Sequence, residues 1–183
     1  MKKSGDTASQ FEKAKSKCTK VFLAKMHDYG TSWRVMRASS LTDQILIKAM
    51  RIRSIQEKGD PRINEGILPE FVAIVNYCVM ALIQLGEGPG EDFTPEVAEK
   101  MYRMKLDEAT SLMENKNHDY DEAWRLMRVS SMTDIILQKL RRTKEIEDHK
   151  GMTICSEGID ANYMDMINYS LFCLIKLSEE ENG

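Results

Sequence analysis

An all-α fold, a helical bundle duplicated in tandem with pseudo-twofold symmetry, is predicted by three features of this 183-residue chain. The first is repetition. His27-Asp28-Tyr29, followed by Trp33-Arg34, Met36-Arg37, Ser39-Ser40, Thr42-Asp43, Ile45-Leu46, Lys48 and Arg51, returns 91 positions later as His118-Asp119-Tyr120, Trp124-Arg125, Met127-Arg128, Ser130-Ser131, Thr133-Asp134, Ile136-Leu137, Lys139 and Arg142. From His27 to Gln56, 16 of 30 positions recur identically, including charged, hydroxyl and indole side chains that core packing alone does not fix. The second feature is periodicity: apolar residues fall at helical steps, and nowhere does the period-two alternation of a strand persist. The third is the join. Gly86-Glu87-Gly88-Pro89-Gly90-Glu91-Asp92 is rich in turn formers and too short to hold separate domains far apart, so 1–90 and 91–183 are expected as two copies packed in one globular unit.

Each copy reads as three main helices. The first runs from about Ser9 to His27, with Phe11, Ala14, Cys18, Val21 and Phe22 on one face. Its counterpart opens at Thr94-Pro95-Glu96, a natural N-cap followed by a proline suited to the first helical position. Short helical turns around Trp33 and Trp124 should link the first helix to the second. The second helices are expected to open at Thr42-Asp43 and Thr133-Asp134, with Ser39-Ser40 and Ser130-Ser131 as caps, and to close at Gly59 and Gly151. The third helices, from about Glu65 to Leu85 and Glu157 to Leu177, are the most apolar segments and should pack centrally against each other. The third helix of copy one should also lie near the first helix of copy two.

Composition excludes several classes. With 42% hydrophobic and 30% charged residues, a formal net charge of -3 and both signs interspersed, the chain offers no field for nucleic acid or an anionic membrane. Met1-Lys2-Lys3 leads into no apolar signal core and no later run reads as a membrane span, so a cytoplasmic location is expected. Cys18, Cys78, Cys155 and Cys173 form no C-x-x-C pair and read as free buried thiols. Trp33 and Trp124 read as core anchors with hydrogen-bonded indole N–H groups.

Chemistry is concentrated on the third helix of copy two. Relative to Glu157, a helix turns Asp160, Asp165 and Asn168 to roughly -60°, +80° and +20°, all within one arc of about 140°. Carboxylates flanked by buried residues need a counter-charge, and converging oxygen ligands are what Mg²⁺ requires. Equally, Glu157 and Asp160 suit an exposed first turn favoured by the helix dipole, which leaves Asp165 alone to explain. Lys48 and Arg51, like Lys139 and Arg142, lie three apart on one side of the second helix, a spacing that either holds a phosphate or pairs with neighbouring acids. His118 and Asp119, where a helix ends, are candidates for proton transfer or base reading. No Ser-His-Asp order, nucleotide-binding glycine loop or zinc spacing is present.

The runs Lys25 to Tyr29 and Lys116 to Tyr120, the Trp-Arg-x-Met-Arg segment, Asp-x₄-Lys-x-x-Arg, and Glu157 to Tyr169 resemble the nucleotide modification associated domain 1 family, which some bacterial proteins hold in tandem. More distantly, the pattern is similar to all-α nucleoside triphosphate pyrophosphohydrolases of the MazG and dimeric dUTPase type. What that resemblance implies is a Mg²⁺-dependent nucleotide pyrophosphohydrolase. Glu157 and Asp165 would be its metal ligands, Asp160 an outer ligand or the group that orients water, Asn168 would hydrogen-bond, and Lys116, Lys139 and Arg142, with Lys48 and Arg51 across a shared seam, would meet the phosphates. Copy one keeps Glu65 and Asn76 but has Ala73 and Leu68 where copy two has Asp165 and Asp160, so a single competent site in a pseudo-dimer is expected. Expected partners are a nucleotide or modified nucleotide and a second copy of the chain in a homodimer, with no membrane and no nucleic acid. The rival reading is a non-catalytic interaction module with a structural polar seam.

Overall fold

The computed structural model describes residues 4–59, 63–120, 122–153 and 157–183, with side chains for 6–59, 66–117, 122–153 and 157–183. Among them the chain forms six long helices and no strand: α1 (Ser4–Tyr29), α2 (Ala38–Lys58), α3 (Ile63–Glu87), α4 (Pro95–Tyr120), α5 (Val129–Asp148) and α6 (Ile159–Glu181). Single 3₁₀ turns, Ser32–Val35 and Ala123–Leu126, carry Trp33 and Trp124 between the first and second helix of each copy. The tandem helical bundle read from the sequence is the fold observed.

Local chemistry accounts for most of the ends. Gly30, at φ 63°, donates its N–H to the Met26 carbonyl at 2.8 Å and closes α1, and Gly59, at φ 64°, closes α2. Thr94 Oγ1 accepts the Val97 N–H at 3.3 Å, so α4 opens with the expected cap. The second helices differ from expectation. They begin four residues earlier, after Arg37 and Arg128, whose extended backbones serve as N-caps, and Ser39-Ser40 and Ser130-Ser131 lie inside the first turns rather than capping them. Thr42 and Thr133 donate instead to the carbonyls four residues back, Ala38 at 3.3 Å and Val129 at 3.1 Å. A threonine can satisfy its hydroxyl in either way, and the residue type alone does not choose.

Packing places α3 and α6 at the centre. They contact each other, α2 covers α3, α5 covers α6, α2 packs on α5, and α1 and α4 each lie across both central helices. The α2–α5 pair is antiparallel: Lys144 bonds Asp43 at one end, and Arg53 lies 3.7 Å from Asp134 at the other. α3 contains a stretch, Gly66–Glu87, long and apolar enough by length and composition to cross a membrane, contrary to the sequence expectation; two thirds of an 18-residue window within it is buried. Phe71, Ile74, Val75, Ile83, Ile167, Leu171 and Leu174 are wholly or almost wholly buried there, each worth about 1.5–3 kcal/mol by apolar transfer.

Duplicated polar residues hold corresponding joints. Asn76 donates to the Cys18 carbonyl at 3.1 Å, and Asn168 to the Ala109 carbonyl at 2.8 Å. Gln84 donates to the Arg34 carbonyl at 2.9 Å, where Lys176 donates to that of Arg125 at 2.7 Å. Arg34 is buried, bonds Gln84 and the Gly88 carbonyl, and lies 4.1 Å over the Phe93 ring, which pins the inter-copy linker. Arg125 reaches Thr7, Gln10, Glu122 and Glu179 and so ties the start of α1 to the end of α6. The Trp-Arg repeat is thus architectural in both copies. Trp124 stacks on Phe172 at 4.5 Å, but its buried indole N–H has no hydrogen-bond partner, in contrast to the expected satisfied anchor; the Arg125 guanidinium 4.3 Å from the ring is its polar neighbour.

Candidate functional site

The polar centre of copy two is built on Asp165. This side chain points from α6 into the junction with α4 and α5 and is 14% exposed. One oxygen lies 2.9 Å from Lys139 Nζ, itself 16% exposed on α5, and the other 3.4 Å from Lys116 Nζ on α4, which is half exposed. The dry side of the pair is supplied by the core, so the carboxylate is held by charge and its loss would strand Lys139. Asn168, one turn along α6, is buried and spends its amide on Ala109, which fixes α6 against α4 and thereby the position of Asp165. Its Oδ1 has no partner. Tyr169 borders the centre; burial first, then the Asp165 charge, raise its phenol above the ordinary range, opposed by Lys116. Arg142, half-buried, has neither an ion-pair nor a hydrogen-bond partner among the described residues.

Copy one assembles the same cations around a different acid. Glu70 on α3, 9% exposed, stands 3.2 Å from Lys48 Nζ and 3.3 Å from Arg51. Glu70 aligns with Asn162, and Ala73 with Asp165, so the acid has moved one helical turn between the copies. The basic pairs therefore close onto acids of their own copies, Lys48 and Arg51 onto Glu70 and Lys139 onto Asp165. Position-by-position comparison passes over Glu70 because it does not stand where copy two has its acid; its spacing of three from Ala73 was the available signal.

The remaining candidates are dispersed. Glu157 precedes α6 and is exposed, and Asp160 is exposed in its first turn, behind the Gly158 N-cap. His118 and Asp119 end α4, but their side chains, like that of Glu65, lie outside the described residues. Among the described residues no three His, Cys, Asp or Glu side chains gather in a way that could hold a metal ion. Asp165 supplies a single carboxylate, both of whose oxygens face lysines, where Mg²⁺ is commonly held by one or two carboxylates plus phosphate oxygens and water. Cys18, Cys78 and Cys173 are free and buried; burial pushes the Cys18 thiol up to about 12 and the other two higher, which removes thiolate chemistry. Cys155 is outside the described residues.

The two copies carry equivalent lysines, Lys25 and Lys116, at the ends of their first helices, and equivalent third helices. A family model described as nucleotide modification associated domain 1 matches residues 25–85 and 116–177, one match to each centre and together more than half of the chain. The chain belongs to that family. As a tandem member of the nucleotide modification associated domain 1 family, it carries both family segments on one pseudo-twofold bundle, with all but the last five residues of α1 and of α4 outside the matches. No curated protein and no solved structure matches it.

Proposed function

We propose that this chain binds a nucleotide through its phosphates at the Asp165 centre of copy two, with Mg²⁺ accompanying the phosphates. The observation that carries the proposal is a mostly buried carboxylate shared by Lys116 and Lys139, with the Arg142 guanidinium of the same copy unpaired among the described residues. Lys116 and Lys139 against the one Asp165 carboxylate leave an excess of positive charge that polyphosphate oxygens suit, and the guanidinium of Arg142, three residues on from Lys139 in α5, would add bidentate geometry. The family description, which associates this domain with nucleotide modification, agrees with that ligand class.

The reaction that best suits these residues is hydrolysis of a nucleoside triphosphate with release of pyrophosphate. Lys139 and Lys116 would meet the phosphates, and Asp165 would be the carboxylate available to a cation bound with them. Asp165 would hold the cation, whose contribution would be to screen the phosphate charge, and Asp160 or the His118-Asp119 pair would take the proton from the attacking water. A second reading, a non-catalytic interaction module, is favoured by one observation: the third-helix acids Glu70 and Asp165 are already engaged in ion pairs.

A thermal-unfolding panel of nucleoside triphosphates with and without Mg²⁺, run beside a pyrophosphate-release assay, tests the proposal, since a ligand specific for the native state raises its melting temperature. A Mg²⁺-dependent rise that disappears in Lys139→Gln supports it. If no triphosphate raises the melting temperature or releases pyrophosphate, the interaction module replaces it.

A further inference from the structure

Where copy two has its charged centre, copy one has an apolar cleft of about 460 Å³ between α1 and α3. Val21 and Phe22 form one wall and Leu68, Val72 and Met80 the other. Ala73 lies in the lining at the position of Asp165, so the acid that fills copy two with ion pairs is missing and the space stays open. Asn76 contributes little polarity: its amide is spent on Cys18 and its Oδ1 accepts the Tyr102 hydroxyl at 2.6 Å. No carboxylate lines the cleft among the described residues. Lys17 and Lys25 do, both exposed and neither with an ion-pair partner there, about 12 Å apart along α1 at 1.5 Å per residue.

We propose that this cleft binds a small apolar molecule carrying one anionic head group, such as an alkyl carboxylate. The volume falls within the range of small-molecule sites, about 300–1,000 Å³, and the predominantly apolar lining with a few charged groups at its edge is their usual composition. The apolar body covers the side chains of α1 and α3, and the head group pairs with Lys17 or Lys25, whose single sign selects an anion over a neutral or cationic relative. The unpaired Lys25 follows from the same displacement of the acid: Lys116, its equivalent, is held by Asp165. The inference concerns copy one and does not depend on nucleotide binding in copy two.

Calorimetric titration and thermal unfolding of the full chain with decanoate, decanol and decyltrimethylammonium, each below its aggregation concentration, test it. One decanoate per chain should bind and raise the melting temperature, about tenfold tighter than decanol, with no binding of the cation. Lys17→Gln with Lys25→Gln, both on the exposed face of α1, should bring decanoate to the level of decanol. Ala73→Asp should weaken both by about tenfold or more by placing a carboxylate in the cleft. The proposal is overturned by absent binding, by equal binding of all three probes, or by indifference of decanoate to the lysine variant. It is also overturned if sedimentation shows a dimer that Ala73→Asp splits, because a second copy then covers the cleft. Should Ala73→Asp fail to fold, the lysine pair decides alone.

Discussion

The two copies share a helix plan and differ in where one carboxylate stands. In copy one it is Glu70, which engages Lys48 and Arg51 and, among the described residues, leaves Lys25 without an ion-pair partner beside an apolar cleft. In copy two it is Asp165, one turn further along the third helix, which engages Lys139 and Lys116 and, among the described residues, leaves Arg142 without a partner. Both arrangements neutralise one acid with two bases. What changes is which cation is released and whether the space between the first and third helices is filled with charge or left apolar. A duplicated fold can thus hold two different surfaces with no change in backbone plan.

The sharpest way to break this comparison is to remove the acid on each side. Asp165→Ala leaves Lys139, only 16% exposed, without its counter-charge and should cost about 2–3 kcal/mol of unfolding free energy in denaturant titration. Glu70→Ala should cost less, about 1–2 kcal/mol, because Arg51 is 63% exposed and can turn to water. Equal costs would show that the burial of the partner lysine does not set the difference.

A second contrast lies in the core. The Tyr102 hydroxyl reaches Asn76 at 2.6 Å, whereas the equivalent of Tyr102 in the opposite copy is Phe11, and Asn168 Oδ1 is left without a partner. Tyr102→Phe should therefore destabilise by about 1–2 kcal/mol, and Phe11→Tyr should stabilise by about 1 kcal/mol if its hydroxyl finds Asn168. Matching chemical-denaturation curves sharpen the pseudo-twofold assignment; a loss from Phe11→Tyr would mean that the two corners are packed differently.

The smallest effect concerns the seam between α2 and α5. Gln56 donates to Thr133 at 3.1 Å, while its counterpart Glu147 faces Thr42, with Asp43, Lys144, Asp148 and the Tyr163 hydroxyl nearby. Burial raises the Glu147 carboxyl above its ordinary value of 4.5, against the pull of Thr42 and Lys144. A raised acid binds its proton more tightly in the folded chain, so its contribution to stability is full below about pH 4.5 and is lost as pH rises through the folded value. Glu147→Gln should flatten that region of the stability profile and slightly stabilise the protein at neutral pH. An unchanged profile would remove Glu147 from the pH response.

Much of this was legible before the structure. The helical period, the cap at Thr94-Pro95, the stop at Gly59 and the central third helices rest on local chemistry that residue type expresses directly. The second-helix starts were not, because a Thr hydroxyl caps a helix or bonds the carbonyl four residues back with equal ease. The candidate site was legible as a set of residue types and less so as a geometry. Lys116, Lys139 and Asp165 come together, but Lys48 and Arg51 close on Glu70, whose role depends on a displaced equivalent rather than an aligned one. Asn168 and the repeated arginines share the polar repeat with the site, yet their hydrogen bonds go to backbone and helix joints.

The central claim, that the moved carboxylate gives copy two the nucleotide site, is tested most directly by the Mg²⁺-dependent thermal shift with a nucleoside triphosphate in the wild type, Lys139→Gln and Lys48→Gln. The account predicts a shift that is lost in Lys139→Gln and kept in Lys48→Gln. Equal retention or equal loss in the two variants would contradict it.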